Sequence, residues 1–333
     1  MLDIFKADAF SVMSLTDRVT KMPFVPGRAG QIIDWDNKPV ATLVIAIEEL
    51  GGVLSIVNPT ARGGPGSTVG KDKRKLRNLT IPHYQIDDGV YAEEVQGVRA
   101  FGEESQVQTV QGIVDARIQR HVQLSLDPTL EFMRMGALRG IILNGDATTL
   151  YNLFTEFGVA QPTEVAFNLA AAANGEVRKT CTDVIRTITS AMGNVPFRGV
   201  YSFCSDTFWD ALIKNSEVRA TYLQQQEASQ LREGVAYSTL NFGGITFENY
   251  RGSGATPFVI ADKAHFFPVG SPGLWSTVYA PADYEETVNT MGLPRYARQY
   301  RMADGKGVHL QVQMNPLSYN TRPATLVQGK LQA

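Results

Sequence analysis

Two apolar runs and a later extended segment predict a long β-hairpin between residues 40 and 88. Val40–Ile47 is rich in β-branched residues, Val53–Val57 is a second apolar run, and the chain returns through Leu79–Pro82. Such runs, separated by glycine and proline, are typical of strands joined by turns. Because two extended limbs around a glycine-rich tip have no interior of their own, we expect the hairpin to lie on another copy of the protein.

The strongest helical pattern begins near residue 101 and ends near residue 145. Apolar side chains recur every three or four residues, which predicts an amphipathic helix of roughly 20 residues, or about 30 Å. We expect a break or kink at Asp127 and Pro128, because aspartate caps helices and proline suits a first turn. A second helix should then continue to a C-cap at Asn144–Gly145. The apolar face comprises Val107, Val110, Val114, Ile118, His121 and Val122, then Leu130, Met133, Ala137 and Ile141.

The remainder of the chain alternates irregularly between helix and strand. Residues 1–39 form an N-terminal arm with one short helical face that ends at Pro23. An order of elements without a βαβ repeat predicts an α+β fold. The predicted elements are a strand around Val165–Phe167, a helix from Val177 to a cap at Gly193, a strand at Gly199–Phe203, a helix at Phe208–Ile213, a helical segment over 216–233, a hairpin around the loop Arg251–Ala255, and a strand at Gly307–Gln313.

Charge is unevenly distributed along a chain whose composition is typical of a globular protein. Hydrophobic residues make up 44% and charged residues 19%, and the net charge is −2. Six cations and one acid between Arg62 and Arg77 give this basic segment +5, so the rest of the chain carries −7. A protein that neutralises phosphates along nucleic acid would be basic overall. A basic segment on an acidic body favours docking on a like subunit.

The sequence lacks the spacings that catalytic, cofactor and metal sites require. Around Lys71 the tip resembles a phosphate-binding loop, but Pro65 replaces a required glycine and Asp72 replaces the serine or threonine after the lysine. Cys181 and Cys204 have neither disulfide nor metal spacing and are expected to be buried. We therefore expect a soluble protein without enzymatic activity or cofactor, and no apolar run is long enough to cross a bilayer.

The remaining candidate groups favour structural roles. His121 is expected to be a satisfied or interface histidine on the long helix, and Asp206 is expected to cap the helix that follows Cys204. Adjacent acids point to different sides of a helix or strand, so we expect solvated or ion-paired roles for them. The acidic pairs are Asp87–Asp88, Glu93–Glu94 and Glu285–Glu286.

Six segments in order, spread over essentially the whole chain, resemble a known family. They are Ile47–Val57 with Arg62–Gly66, Lys73–Arg77 with Ile81–Pro82, Ala92–Gly102, Leu143–Gly145, Tyr284–Tyr296, and Met314–Leu317 with Arg322–Pro323. Together they resemble the major capsid proteins of tailed bacteriophages, and more closely the phage capsid protein E family of lambda-like major head proteins.

The resemblance implies the HK97-type capsid fold, in which an extended E-loop and a long spine helix accompany a peripheral (P) domain and an axial (A) domain. The implied divisions are an N-terminal arm (1–39), the E-loop hairpin (40–88), the P-domain with its spine helix near 103–143 (89–149), mainly the A-domain (150–285), a return strand to the P-domain (286–318) and a C-terminal strand of the A-domain (319–333).

The resemblance also implies which residues meet other subunits. On the E-loop they are the cations Arg62, Lys71, Lys73, Arg74, Lys75 and Arg77 and the apolar residues Leu43, Ile45, Ile47, Leu54 and Ile56. An axial loop of the A-domain would present Arg251, Ser253 and Thr256. Charge pairing is favoured over covalent cross-linking as the role of the tip lysines.

The implied function is that of a major capsid protein that assembles through pentamers and hexamers into an icosahedral phage head around double-stranded DNA. Expected partners are a separate scaffolding protein, a portal and possible decoration proteins, with DNA enclosed without sequence-specific contact. The protein would be part of the virion and would assemble in the bacterial cytoplasm. Two alternatives are an encapsulin-like cargo compartment and, in another class, a nucleic-acid-binding protein that uses the basic segment.

Overall fold

The computed structural model describes residues 27–49, 75–96, 106–170, 175–224, 239–250 and 258–332. Its helices are α1 (Arg28–Ile32), α2 (Ala92–Gln96), α3 (Gln106–His121), α4 (Asp127–Arg139), α5 (Leu153–Phe157), α6 (Glu176–Met192), α7 (Asp206–Lys214) and α8 (Ser216–Gln224), with a π-helical turn at Val122–Leu126 between α3 and α4.

The strands form sheets of two, three and six members within the described residues. The strands are β1 (Asp36–Pro39), β2 (Val44–Glu49), β3 (Lys75–Thr80), β4 (Tyr84–Tyr91), β5 (Ile141–Leu143), β6 (Thr149–Asn152), β7 (Val165–Ala166), β8 (Gly199–Cys204), β9 (Thr239–Phe242), β10 (Ile245–Asn249), β11 (Lys263–Val269), β12 (Trp275–Tyr279), β13 (Tyr296–Arg301), β14 (Gly307–Met314), β15 (Pro316–Asn320) and β16 (Val327–Lys330).

The six-stranded sheet has the order β7-β16-β11-β8-β10-β9 and forms the larger core. Its central strand β8 is an almost continuous apolar run, as expected for a strand covered on both faces. On one face Phe167 packs edge-on against Phe208 of α7, with ring centroids 5.4 Å apart. On the other, the rings of Tyr250 and Phe258 lie 5.8 Å apart, and Phe258 lies 5.7 Å from Phe132 of α4. The sheet is therefore sandwiched between helices.

A second core lies between α3 and the sheet β13-β14-β4. Strand β14 alternates, so that Val308, Leu310 and Val312 face the helix while the residues between them face away. On the helix, Val114 and Ile118 are completely buried against them. The long strand expected at 307–313 is therefore present. It packs beside the helix that the apolar periodicity near residues 101–145 predicts.

The regular α-helix is interrupted just before Asp127 and Pro128, where a break or kink is expected, but the interruption is a π-turn through which the rod continues. Asp127 has helical angles (φ −65°, ψ −45°), and its N–H bonds to the carbonyl of Val122, five residues earlier. Proline has no N–H, and its ring would collide with the Leu124 carbonyl in a regular α-helix, which explains why a wider π-turn precedes it. Asp127 consequently does not cap a helix. We call the continuous 106–139 element the spine helix.

The spine helix ends earlier than its pattern suggests. Gly140 adopts φ +78°, and a Cβ at this position would lie 2.4 Å from Cε2 of Phe154. Only glycine fits this cap, so the helix stops at Arg139 and the chain continues as β5. The C-cap expected at Asn144–Gly145 is therefore wrong, and Asn144 instead begins the turn between β5 and β6.

Several shorter elements follow the sequence-based expectations, and two do not. Helix α6 ends at Gly193 and strand β16 joins the six-stranded sheet, as expected. Ser205, rather than Asp206, caps α7 by accepting from the Phe208 N–H. The hairpin expected around Arg251 lies earlier, between β9 and β10, because Gly243 and Gly244 both have positive φ and fit its two-residue turn. Of the segment expected to be helical over 216–233, the described part is helical through Gln224.

Candidate assembly surface

The base of the predicted hairpin packs against its own subunit. Strands β2 and β3 pair antiparallel with Ile45 opposite Leu79, which confirms the hairpin. Ile45 is 6% and Ile47 9% exposed, and both belong to a core that includes Ile142 and Leu153. The expectation that these two isoleucines lie on a neighbour is therefore wrong, because alternation along β2 turns them toward β5 and α5.

Arg77 anchors the hairpin rather than projecting from it. Its guanidinium donates to the Glu156 carbonyl and, at 2.5 Å, to the Phe157 carbonyl, and it lies 5.5 Å from the centre of the Phe157 ring. These carbonyls end α5, where no further helical N–H is available to them, so a cation is favourable there. The expectation that Arg77 meets a neighbouring subunit is corrected accordingly.

A second polar link fixes β3 in place. The hydroxyl of Tyr151 accepts from the N–H of Thr80 at 2.9 Å and donates to the carbonyl of the same residue at 2.8 Å. Together with Arg77 and the buried isoleucines, this link holds the base of the hairpin rigidly to the strands and helix that follow the spine helix.

Replacing Arg77 with glutamine is expected to lower the free energy of unfolding by about 1–3 kcal/mol, because two helix-terminal carbonyls lose their charged donor. Asn78 is exposed on the opposite side of the same strand, so Asn78→Ala is the matched control and should change stability by less than about 0.5 kcal/mol. Thermal and urea unfolding of the two variants provide the measurement. Equal losses in both variants would contradict the anchoring role.

Apolar side chains remain exposed beside the hairpin base. Leu43 is 62% exposed, as are Val288 at 65% and Met291 at 58%. The two segments are joined by a hydrogen bond of 2.9 Å from the Gly292 N–H to the Val40 carbonyl. Large exposed apolar side chains on two joined segments favour an interaction surface. We call Leu43, Val44, Val288, Met291 and Leu293 the apolar edge.

Ion pairs join the spine helix to the sheet that covers it. Arg117 donates to Asp88 at 3.0 Å and also contacts Glu94, and His121 Nε2 lies 2.7 Å from Asp88. Burial opposes the charge of Asp88, but these hydrogen bonds outweigh it and hold the pKa of Asp88 below its usual value. His121 is therefore a satisfied histidine, and Asp88 and Glu94 are ion-paired as expected.

Other expected site residues lie outside the residues that the structure describes. These are Arg62, Lys71, Lys73, Arg74, Leu54 and Ile56 of the hairpin and Arg251, Ser253 and Thr256 of the axial loop. Lys75 begins β3, opposite Glu49.

Metal-binding clusters and reactive thiols were candidate features of the described residues. No group of three or more histidine, cysteine, aspartate or glutamate side chains is placed there to hold a metal ion. Cys181 and Cys204 are unoxidised and buried, and burial raises the pKa of each thiol to about 12. None of the described helices combines the length and the apolar character that crossing a bilayer requires.

Sequence reasoning missed Glu131, a buried acid at the centre of the subunit. Its carboxylate accepts from the N–H of Ala29 at 2.7 Å and from the hydroxyl of Tyr250 at 3.0 Å. Burial, which outweighs these hydrogen bonds, raises the pKa of Glu131. The sequence held one signal for a buried acid, because Glu131 directly follows Leu130, which lies on the apolar side of the predicted helix. Its hydrogen-bond partners are about 100 residues away along the chain, so the sequence could not reveal them.

Comparison with known proteins identifies the family of the chain. A family model described as phage major capsid protein E matches residues 11–331. The chain belongs to the phage major capsid protein E family. This capsid protein is 26% identical to the major capsid protein of Pseudomonas phage KPP10, over 96% of this chain and 97% of that protein. It is 23% identical to the major capsid protein of Salmonella phage Felix O1, over 100% and 99% of the two chains.

Solved structures agree on the fold. The capsid of phage XM1 matches with a TM-score of 0.52 and 8% identity, over 90% of this chain and 89% of that one. The capsid of cyanophage P-SCSP1u matches with a TM-score of 0.50 and 13% identity, over 90% and 87%. The expected α+β, HK97-type capsid fold is confirmed. The chain is a structural subunit of an icosahedral phage capsid shell and hence of a virion, and its family is a structural one.

Proposed function

We propose that this capsid protein assembles through pentamers and hexamers into a head that encloses double-stranded DNA, and that each hairpin docks the cations between its limbs, Arg62, Lys71, Lys73 and Arg74, on an acidic patch of the neighbouring copy. The supporting observation is the division of the hairpin. Its base is fixed to its own subunit, whereas residues 50–74, between the limbs, carry four cations and one acid.

The receiving surface of this proposal is the acidic patch Asp87, Asp283, Glu285 and Glu286. All four are exposed. Burial first, and then the charges of Asp283, Asp87 and Glu286, raise the pKa of Tyr284, whereas Arg298, 5.2 Å from the centre of the Tyr284 ring, opposes them. Val288 and Met291 of the apolar edge follow directly in sequence. An acidic patch next to exposed apolar side chains complements a hairpin that combines cations with apolar runs.

Neutralising the cations between the limbs tests the docking. Arg62, Lys71, Lys73 and Arg74 are replaced together by glutamine, while Arg77 and β3 are retained. The subunit should keep its melting temperature, and the yield of closed shells should fall at least tenfold, since each tenfold loss needs only about 1.4 kcal/mol. Sedimentation and electron microscopy measure the yield. The control replaces four other exposed cations by glutamine: Lys179, Arg186, Lys214 and Lys306.

A charge exchange makes the test specific. Replacing the four hairpin cations with glutamate and the acidic patch with lysine should restore shells that either set of changes alone abolishes. Failure of the exchange, with both single sets defective, would argue against this pairing. Steeply salt-dependent DNA binding by the isolated subunit would instead favour the nucleic-acid-binding alternative.

We further propose that assembly takes place in the bacterial cytoplasm with a separate scaffolding protein and a portal, and that decoration proteins could be added to the finished shell. The family match favours a phage head over a cargo compartment. The DNA content of native particles distinguishes these two uses of the fold.

A further inference from the structure

Two glutamines of the sheet β13-β14-β4 link two acids of the acidic patch. Gln313 on β14 lies opposite Gln85 on β4. Its Nε2 donates to Gln85 Oε1 at 2.9 Å and to Asp283 Oδ1 at 2.5 Å. Gln85 Nε2 in turn donates to the two carboxylate oxygens of Asp87 at 2.8 and 3.0 Å. Asp87 and Asp283 are therefore joined by a continuous chain of hydrogen bonds.

The acids dictate how the amide of Gln313 is oriented. An ionised carboxylate only accepts hydrogen bonds, so each glutamine must turn its nitrogen toward the acid that it contacts. Both hydrogens of Gln313 Nε2 are thus committed, one to Asp283 and one to Gln85. Gln313 is only 1% exposed, and its Oε1 is buried without a hydrogen-bond partner in the described part of the chain. Because an unsatisfied buried oxygen is unfavourable, this amide serves the acids even though it makes the subunit less stable.

The two acids remain accessible although they are held. Asp87 is exposed, and the side chain of Asp283 is 62% exposed. Gln313 occupies Oδ1 of Asp283, whereas Oδ2 lies 4.0 Å from Nε2 of His83, which is beyond hydrogen-bond distance. Ion pairs between exposed side chains usually contribute little, partly because both side chains must be ordered when the pair forms. An acid that is already held by an amide has lost that freedom before a cation arrives.

We propose that Gln313 is the positioning residue of the acidic patch. It holds Asp283 directly, and Asp87 through Gln85, in the arrangement that receives the cations between the limbs of a neighbouring hairpin. Carboxylates fixed in this way accept charge-assisted hydrogen bonds without first being ordered. The inference rests on the proposed function, because Gln313 acts on docking only through the two acids.

Gln313→Met tests this role, because methionine has a similar length but donates no hydrogen bond. The melting temperature of unassembled subunits should be unchanged or raised, since a buried unsatisfied oxygen is removed. The yield of closed shells should fall about threefold to tenfold, since the acids must now be ordered on docking. Gln85→Ala, at an exposed position, should release Asp87 alone and cause a smaller loss of shells. Calorimetry measures the melting temperature, and sedimentation with electron microscopy measures the shells.

Gln311→Met is the matched control. Gln311 lies two residues from Gln313 on the same face of β14, but its side chain makes no hydrogen bond among the described residues. Its shell yield should stay within about twofold of wild type. A lower melting temperature for unassembled Gln313→Met, or a shell yield equal to that of Gln311→Met, would overturn the positioning role.

A second background separates this inference from the docking on which it rests. Asp87→Asn with Asp283→Asn should reduce shell yield, and adding Gln313→Met to that pair should cause no further loss, because a positioning residue acts only through the acids. An equal further loss in both backgrounds would overturn the positioning role. If the asparagine pair assembles like wild type, docking on the acidic patch is wrong and the inference falls with it. If the asparagine pair is defective but Gln313→Met assembles normally, docking stands and only the positioning role is overturned.

Discussion

Replacing Arg295 with methionine is expected to lower the free energy of unfolding of the subunit by about 3–5 kcal/mol, because Asp127 would stay buried and lose its hydrogen bond from this guanidinium. Arg295 Nη2 donates to Asp127 Oδ1 at 2.5 Å, and each side chain is only 6% exposed. The pair joins the middle of the spine helix to the segment that enters β13. Urea unfolding followed by circular dichroism measures the loss.

The double variant Asp127→Leu with Arg295→Met is the control for this pair. Removing both charges leaves neither one unpaired, so the double variant should lose less stability than Arg295→Met alone. A loss of stability below about 1 kcal/mol for Arg295→Met would be as small as that of an exposed ion pair and would contradict the structural role of this buried pair.

Gly292→Ala is expected to cost about 3 kcal/mol or more, because the added methyl group would overlap the backbone. A Cβ at this position would lie 2.0 Å from the carbonyl oxygen of Tyr279, and a backbone atom has little freedom to withdraw. The same glycine donates its N–H to the Val40 carbonyl at 2.9 Å, at the entry to the hairpin. Calorimetry should therefore show a lower melting temperature.

Gly112→Ala provides a control of opposite sign. Gly112 is exposed within α3, and a Cβ there would have no neighbour within 4 Å. Alanine is the better helix former, so the variant should gain about 0.5–1 kcal/mol. Similar losses at both glycines would mean that the Tyr279 carbonyl is not what requires Gly292.

Elements with a clear apolar period could be predicted from the sequence. The hairpin limbs, the spine helix and α6 bury one face against a sheet or helix, and that burial imposes a period of two or 3.6 residues on the sequence. Two details of the spine helix depend on local backbone chemistry that the period does not encode. The interruption before Pro128 is a π-turn rather than a capped break, and Gly140 ends the helix because Phe154 leaves no room for a Cβ.

The sequence could predict which segment forms the candidate assembly surface, but not which of its side chains pack against their own subunit. The sequence identified the hairpin and its cations, yet it could not show that Arg77 reaches the carbonyls of α5, about 80 residues away. The sequence predicts Ile45 and Ile47 as contacts for a neighbour, because it does not show which face of the hairpin is covered by the subunit to which the hairpin belongs. Leu43 is exposed at the start of the same limb, and its contact with a neighbour stays a prediction.

The π-turn has a consequence for the geometry of the spine helix. One extra residue in a helical turn rotates every later side chain by about 100° relative to a regular α-helix. Val114 and Ile118 before the turn and Leu130 beyond it all lie in the core beneath β14, whereas Met135 and Leu138, near the end of the rod, lie in the core of the six-stranded sheet. The turn thus acts as a phase shift that keeps apolar residues spaced four apart on one core on both sides of Pro128.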